Sequence, residues 1–144
     1  MNAVADRQAT KIAELVQDLG DPHPAHRLSA IQAVAEQGTD FQPAVGALLQ
    51  AALHDEDGAV RLAAAIALAK IGGRPMTVVP MLIDVLEDEV DPARRWLAAD
   101  AVRDLGPAAR PALPALRRAL RRPVECPLVR QSIRMALNSL APAA

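Results

Sequence analysis

Aromatic side chains are almost absent from this 144-residue chain, which holds one Phe, one Trp and no Tyr. The sequence also has few β-branched runs and no alternation of apolar and polar residues, so β-strands have little support. The 51% apolar content comes largely from Ala, Leu and Val. Because small apolar residues let helices approach one another closely, we predict an all-α fold.

Cysteine is represented by a single residue, Cys126, which excludes an intrachain disulfide and agrees with a reducing compartment. No apolar run approaches the ~18 residues that would cross a bilayer. Residues 1–10 are polar and lack the apolar core of a signal peptide. We therefore expect a cytoplasmic protein with no membrane partner.

A segment of about eight residues recurs four times along the chain. Its copies begin at Arg27, Arg61, Arg95 and Arg130, at shifts of 34, 34 and 35 residues. Self-similarity at a period of this length is the signature of a solenoid, in which each unit buries its apolar face against its neighbours. Function is then expected on an extended surface of stacked helices.

The repeat places helix-starting residues at equivalent positions in each copy. These positions are held by Pro24, Gly58, Pro92 and Pro127. Proline is favoured at the first position of a helix because its missing N–H is not needed there. The preceding residues are His23, Asp57, Asp91 and Cys126. The two aspartates predict N-caps, since a carboxylate accepts hydrogen bonds from free amides, whereas His23 and Cys126 are weaker caps.

Each repeat is expected to hold a pair of helices, and glycines at equivalent positions predict where the first helix of each pair ends. They are Gly38, Gly72-Gly73 and Gly106. Second helices are predicted near residues 43–53, 76–87 and 110–121, and an opening helix near 4–19, for a total of about eight. We interpret residues 1–144 as a single repeat domain, with repeats at about 21–54, 55–88 and 89–122 and a final half repeat at 123–140.

The second copy carries the most recognisable pattern. It reads Asp57-Gly58-Ala59-Val60-Arg61, then Ala64, Ala67-Leu68 and Ile71-Gly72, then Val79-Pro80, Leu82 and Leu86. This pattern resembles HEAT repeats, in particular the short HEAT-like type also found in phycobilin lyases, over roughly residues 21–140. The resemblance implies a right-handed α-solenoid of about four helix pairs, used across the family mainly as a non-enzymatic scaffold that binds proteins.

The four recurring arginines stand in the first turn of each first helix, and an aspartate lies four residues before two of them. The set is Arg27, Arg61, Arg95 and Arg130 with Asp57 and Asp91. We interpret it as a structural ladder, because a residue that recurs in every unit serves packing. In proteins of the resembling family, such Asp and Arg ladders tie adjacent repeats together.

The second helices are expected to line the concave side of the stack, as the resemblance implies, and their aligned positions vary in charge. We predict that a partner protein of unknown identity binds there, through Gln50, Asp84, Glu87, Arg110, Arg117, Arg118 and Arg121. Trp96 and Met135 lie on other variable faces. For Trp96 we consider both a contact surface and a place in the core.

Charge is distributed unevenly. Residues 1–93 hold 14 acidic and 6 basic residues, whereas residues 94–144 hold 3 and 10. This asymmetry is typical of an anionic partner at the basic end, such as an acidic protein surface, or of head-to-tail contact between copies, and its plainest interpretation is a solvated surface. Nucleic-acid binding by the same arginines is a second alternative, opposed by a pI near 6.3 and by the lack of interleaved aromatics. A lyase-like or regulatory enzyme subunit is a third, suggested by the phycobilin-lyase resemblance.

Residues that could carry chemistry form no recognisable catalytic or metal motif. His23, His26 and His54 lie near acidic turns, but without the spacing of a ligand set. Cys126 has no histidine placed beside it in the sequence pattern. We predict no catalytic residue, no cofactor and no metal.

Overall fold

The computed structural model describes residues 2–38, 43–71, 74–123 and 125–141. Its α-helices are α1 (Ala3–Asp18), α2 (Pro24–Gln37), α3 (Val45–His54), α4 (Gly58–Lys70), α5 (Pro75–Asp88), α6 (Pro92–Leu105), α7 (Leu113–Leu120) and α8 (Pro127–Leu140). A 3-10 helix at Gly106–Ala112 precedes α7. The described residues contain no strand. The predicted all-α class, built from pairs of helices, is confirmed.

The first helices begin where the period of the sequence places them, at residues 24, 58, 92 and 127. Asp57 Oδ1 caps α4 by accepting the N–H groups of Ala59 at 2.8 Å and Val60 at 3.1 Å. Asp91 Oδ1 caps α6 by accepting the N–H of Ala93 at 2.9 Å. The side chains of His23 and Cys126 make no such bond. Side-chain capping therefore accounts for the starts of α4 and α6, whereas α2 and α8 begin at a proline without it.

Two of the predicted helix stops are glycines with positive φ, a backbone conformation that side chains with a Cβ rarely adopt. Gly38 ends α2 with φ of 68° and Gly106 ends α6 with φ of 60°. Gly72-Gly73, the stop predicted for the second copy, lies outside the described residues.

The second helix of the third repeat differs from the helix predicted over residues 110–121. Its α-helical part is α7, and the residues before it form the 3-10 helix. Pro111 lies inside that 3-10 segment and Pro114 in the first turn of α7. Proline has no N–H to donate and its ring clashes with the preceding turn, so Pro111 interrupts a regular α-helix, whereas Pro114 is tolerated in the first turn of α7.

Residues 1–73 form one compact unit. In it α1 packs on α2, and α4 packs on both α2 and α3. The core side chains Ile31, Val34, Leu48, Val60 and Leu68 are at most 2% exposed. No residue of α1 is fully buried.

Residues 74–144 form a second compact unit. There α6 packs on α5 and α8, and α7 packs on α5 and α8. Leu82, Leu86, Leu116 and Ile133 are fully buried. The final helix α8 thus packs against both α6 and α7, although Leu128 remains 67% exposed.

The boundary between the two units falls inside the predicted repeat 55–88, between α4 and α5. A single domain over residues 1–144 stays a prediction. Among the described residues, no helix combines the length and the apolar character needed to cross a bilayer.

Candidate functional site

Arg27 connects the turn before its own helix to the turn before α4. Its Nε and Nη2 donate to Asp55 Oδ2 and Oδ1 at 2.8 and 2.9 Å. Its Nη1 donates to the carbonyl oxygens of Asp21 and Pro22 at 2.8 and 3.1 Å. The side chains of Arg27 and Asp55 are each 8% exposed. The planar guanidinium thus binds a carboxylate bidentately while also holding a backbone turn.

The surroundings of Asp55 keep it ionised. Burial by itself raises the pKa of Asp55, but hydrogen bonds from Arg27 and from the N–H of Asp57 outweigh it, so the pKa lies below its ordinary value. The same hydrogen bond to Asp55 raises the pKa of Arg27. Both partners are therefore charged at neutral pH.

Arg95 repeats this arrangement in the second unit. Its Nη2 and Nε donate to Glu125 Oε1 and Oε2 at 2.7 and 3.2 Å. Its Nη1 donates to the carbonyl oxygens of Glu89 and Val90 at 2.7 and 2.8 Å. The Arg95 side chain is 6% exposed and that of Glu125 is fully buried. Glu125 also accepts the N–H of Cys126 at 3.0 Å, which fixes the turn before α8.

The two other recurring arginines also hold backbone turns. Arg61 Nη1 donates to the carbonyl oxygen of Asp55 at 2.7 Å. Arg130 donates to the carbonyl oxygens of Leu120 at 3.2 Å and Arg122 at 3.4 Å. Arg27, Arg61 and Arg95 therefore bind the turn just before a first helix, and Arg130 binds the end of α7 and the residues that follow it.

The carboxylates that bind Arg27 and Arg95 differ from the aspartates of the predicted ladder. Asp57 and Asp91 face the free amides of their own helices as caps, and the bidentate acceptors are Asp55 and Glu125. The sequence repeats in part the positions of the carboxylates that accept hydrogen bonds from these arginines. Acidic residues stand six positions before Arg27, Arg61 and Arg95, at Asp21, Asp55 and Glu89. Glu125 breaks that register, since it lies five positions before Arg130.

The acidic residues at these positions also accept backbone N–H groups. Asp21 Oδ1 accepts the N–H of His23 at 2.8 Å, and this bond lowers the pKa of Asp21. Glu89 accepts the N–H groups of Val90 and Asp91, and the bond from Asp91 is the largest cause of its lowered pKa. These carboxylates organise turns.

The histidines near these turns form a small polar cluster. His26 Nδ1 lies 3.2 Å from Asp21 Oδ1, and the rings of His23 and His26 meet edge to face with centroids 5.3 Å apart. Within the described ranges, no three residues of the types His, Cys, Asp and Glu are grouped so that they could share a metal ion.

Part of the predicted binding surface is neutralised by contact between α5 and α7. Arg118 forms an ion pair with Glu87, with Nε donating to Oε1 at 2.7 Å and Nη2 contacting the same oxygen. Arg122 donates to the carbonyl oxygen of Glu87. These contacts join residues 31 and 35 positions apart, and we did not predict them from the sequence.

The remaining arginines of that surface are differently placed. Arg110, Arg117 and Arg121 are exposed, and in the described part of the chain no acidic side chain forms an ion pair with them. Arg117 lies in α7 and Arg121 is its C-cap, and because they are four residues apart they lie on the same side of the end of the helix. Asp84 is exposed on the neighbouring helix α5.

Gln50, the remaining residue of the predicted surface, belongs to the unit of residues 1–73. It is exposed on α3 and lines an open groove with Val16 and Leu19. The groove has a volume of about 410 Å³ and is mostly apolar.

Comparison with known proteins identifies a family of helical repeats. A family model for HEAT repeats matches residues 12–103 and, in an overlapping alignment, residues 47–138. The match is to HEAT repeats in general, so the short phycobilin-lyase type stays a prediction. HEAT repeats commonly serve as protein-interaction scaffolds. No curated protein matches the chain.

Proposed function

The chain belongs to the HEAT-repeat family, and on that premise we propose that it is a non-enzymatic scaffold that binds a partner protein through the second helices of its pairs. In the unit of residues 74–144, the binding surface is the exposed face of the 3-10 helix and α7. A stack of helix pairs offers an extended surface for such binding. Because the fold does not by itself determine function, the proposal depends on particular side chains.

The observation that carries the proposal is the contrast between engaged and exposed arginines in this unit. Ion pairs engage Arg94, Arg95, Arg103 and Arg118, whose partners are Glu89, Glu125, Asp100 and Glu87. By contrast, Arg110, Arg117 and Arg121 are exposed and have no ion-pair partner among the described residues. Packing does not require these three charges, so binding is the role we assign to them.

The chemistry of these side chains favours an acidic segment of a protein. A guanidinium binds a carboxylate bidentately, and several of them in a row fit a run of Asp or Glu residues. A nucleic acid fits less well. Asp84 and Asp88 are exposed on α5, which packs beside α7, and would repel an evenly charged phosphate backbone, whereas a protein segment can place a neutral or basic residue opposite them. The 3-10 helix and α7 also carry no aromatic residue on which bases could stack.

The proposal includes a cytoplasmic location, which the single cysteine favours. Head-to-tail association between copies is the competing use of the same charges, since residues 1–93 have a net charge of −8 and residues 94–144 a net charge of +7. The experiment below separates the two.

The test is affinity capture with a double charge reversal, Arg117→Glu with Arg121→Glu. The matched control is Arg7→Glu with Lys11→Glu on α1, which has the same spacing, the same change in charge and equally exposed positions. Both variants are expected to keep the far-UV circular dichroism of the wild type. Native lysate is passed over each protein at low and at moderate salt, and bound protein and nucleic acid are both measured.

We expect a discrete protein to bind the wild type and the control, and its affinity for the Arg117/Arg121 variant to fall at least ~100-fold, because like charges then face each other. Unchanged capture would refute the proposal. Salt-labile nucleic acid lost in the same variant would replace it with the nucleic-acid alternative. A wild type that elutes as an oligomer in gel filtration, and a variant that elutes as a monomer, would assign the arginines to self-association.

A further inference from the structure

The helix beside the proposed binding surface carries unpaired charges of the opposite sign. Asp84 and Asp88, which we call the acidic row, are exposed on α5. In the described part of the unit of residues 74–144, no basic side chain forms an ion pair with either of them. Arg117 and Arg121, which we call the basic row, are exposed and lack an ion pair in the same way. The surface of α5 and α7 therefore holds two rows of opposite charge.

The ion pair between Glu87 and Arg118 fixes how the two helices face each other. Glu87 lies in the last turn of α5 and Arg118 in the last turn of α7. These side chains meet, and the two helices pack on each other. The C-terminal ends of α5 and α7 therefore lie side by side, and the helices run in the same direction. Arg122 also donates to the carbonyl oxygen of Glu87, so the contact between the helices passes through these positions.

Helical geometry then places both rows on the same side of this contact. Each residue of an α-helix is rotated by about 100° from the one before it. The acidic row is therefore about 80° from Glu87 in one rotational sense, and the basic row is about 80° from Arg118 in the opposite sense. Since Glu87 and Arg118 point toward each other on parallel helices, the opposite rotations bring both rows to one face of the helix pair. The ion pair leaves no net charge between the rows.

A face of this kind selects a partner by the order of the partner's charges. Electrostatic complementarity gives specificity, because unlike charges attract and like charges placed opposite each other repel. A uniformly acidic segment that crosses both helices satisfies the basic row but meets the acidic row with like charge. A segment with one basic end and one acidic end satisfies both rows.

We propose that this face binds a bipolar segment of a partner protein, which crosses α5 and α7 with basic side chains opposite the acidic row and acidic side chains opposite the basic row. This inference rests on the proposed function and specifies the partner that Arg117 and Arg121 bind. The axes of packed helices are about 8–10 Å apart, a distance that an extended chain spans in about three residues. The two charged ends of the segment should therefore be separated by about three uncharged residues.

Three synthetic peptides test the order of charges. The bipolar peptide has two Lys, three uncharged residues and two Glu. The mixed peptide has the same composition but carries one Lys and one Glu at each end, and the acidic peptide has Glu in place of both Lys. Each peptide carries the same uncharged dye and is titrated with the full chain, and its binding is measured by fluorescence anisotropy. The titrations are made at low salt, where surface charges are least screened.

We expect the wild type to bind the bipolar peptide about tenfold more tightly than either of the others. The double variant Asp84→Lys with Asp88→Lys should reverse this preference, so that the acidic peptide binds about tenfold more tightly than the bipolar one, because both rows are then basic. The matched control is Glu14→Lys with Asp18→Lys on α1, which has the same spacing, the same change in charge and equally exposed positions. The control should keep the preference of the wild type, and both variants should keep its far-UV circular dichroism.

Two results would overturn the bipolar order and leave the proposed function intact. One is binding of the acidic peptide that equals or exceeds that of the bipolar peptide and is lost in the Arg117/Arg121 double charge reversal. The other is equal binding of the mixed and bipolar peptides, with the same dependence on those arginines. If the bipolar peptide instead binds the Arg117/Arg121 variant as tightly as the wild type, both proposals are refuted. Absence of binding by all three peptides would overturn the bipolar segment alone, provided that capture from lysate still depends on Arg117 and Arg121.

Discussion

Removing the Glu125 carboxylate should destabilise residues 74–144 far more than removing an exposed acid. In Glu125→Ala, the Arg95 guanidinium loses both of its carboxylate bonds, and the N–H of Cys126 loses its acceptor. The side chain of Arg95 is 6% exposed and cannot recover full hydration without opening the packing around it. The variant therefore leaves a buried charge without its counterion.

The magnitude follows from the cost of such a charge. Breaking a buried ion pair by removing one partner costs about 3–5 kcal/mol, a large part of the ~5–15 kcal/mol by which a typical domain is stable. Glu125→Gln keeps an amide oxygen as acceptor and should lose less, about 1–3 kcal/mol. Replacing Arg95 and Glu125 together by Met should cost less than Glu125→Ala alone, because no unpaired charge remains.

Urea unfolding followed by Trp96 fluorescence measures this effect, because Trp96 lies next to Arg95 on α6. The control is Asp84→Ala, which removes an exposed carboxylate on α5 of the same unit and should change stability by no more than about 0.5 kcal/mol. A Glu125→Ala variant that unfolds at the same urea concentration as this control, with the same slope, would refute the reasoning. The buried pair would then contribute nothing to stability.

Three further predictions concern pH, capping and backbone conformation. Because the pKa of Asp55 is lowered on folding, its contribution is complete above its unfolded pKa of about 3.9 and is lost as pH falls through the folded pKa. Asp55→Asn should thus be most destabilising at neutral pH, and circular dichroism unfolding should show the difference from wild type narrowing below about pH 4; a constant difference would contradict this. Asp57→Ala should cost about 1 kcal/mol through its two lost capping bonds, whereas Cys126→Ala, at a cap that makes no side-chain bond, should cost less than about 0.5 kcal/mol in the same chemical denaturation assay. Gly46→Ala should raise the melting temperature, since Gly46 is exposed in α3 and an added Cβ meets nothing within 4 Å; Gly38→Ala should lower it despite equal space, because Gly38 has φ of 68°, and equal effects would show that backbone strain does not matter there.

The sequence was sufficient for features that depend on neighbours in the chain. Each first helix begins where a Pro or Gly recurs, and Asp57 and Asp91 cap their helices, because both effects act within one helical turn. Two glycine stops follow from φ values that other residues avoid. The 3-10 segment at residues 106–112 was missed because Pro111 overrides a helical periodicity that the apolar residues still display.

The contacts that escaped sequence reasoning join distant positions. Arg27 and Arg95 were recognised as structural, but their acceptors lie 28 and 30 residues further along the chain. The pairing of Arg118 with Glu87 also depends on how α5 and α7 face each other. Alignment of the copies identifies variable positions, but only packing shows which of two oppositely charged residues neutralise one another.

Burial separates two uses of arginine that composition cannot distinguish. Arg95 recurs in register with the other copies and is buried against Glu125, whereas Arg117 and Arg121 replace Ile83 and Glu87 of the preceding repeat and are exposed. If recurrence marks structure and departure marks recognition, the two classes must be separable by experiment. Glu125→Gln should then lower the urea midpoint while the folded protein still captures its partner. Reversal of Arg117 and Arg121 should abolish capture and leave the midpoint near that of the wild type. A variant of either class that changed both the urea midpoint and partner capture would show that the binding surface and the Arg95–Glu125 ion pair are structurally coupled.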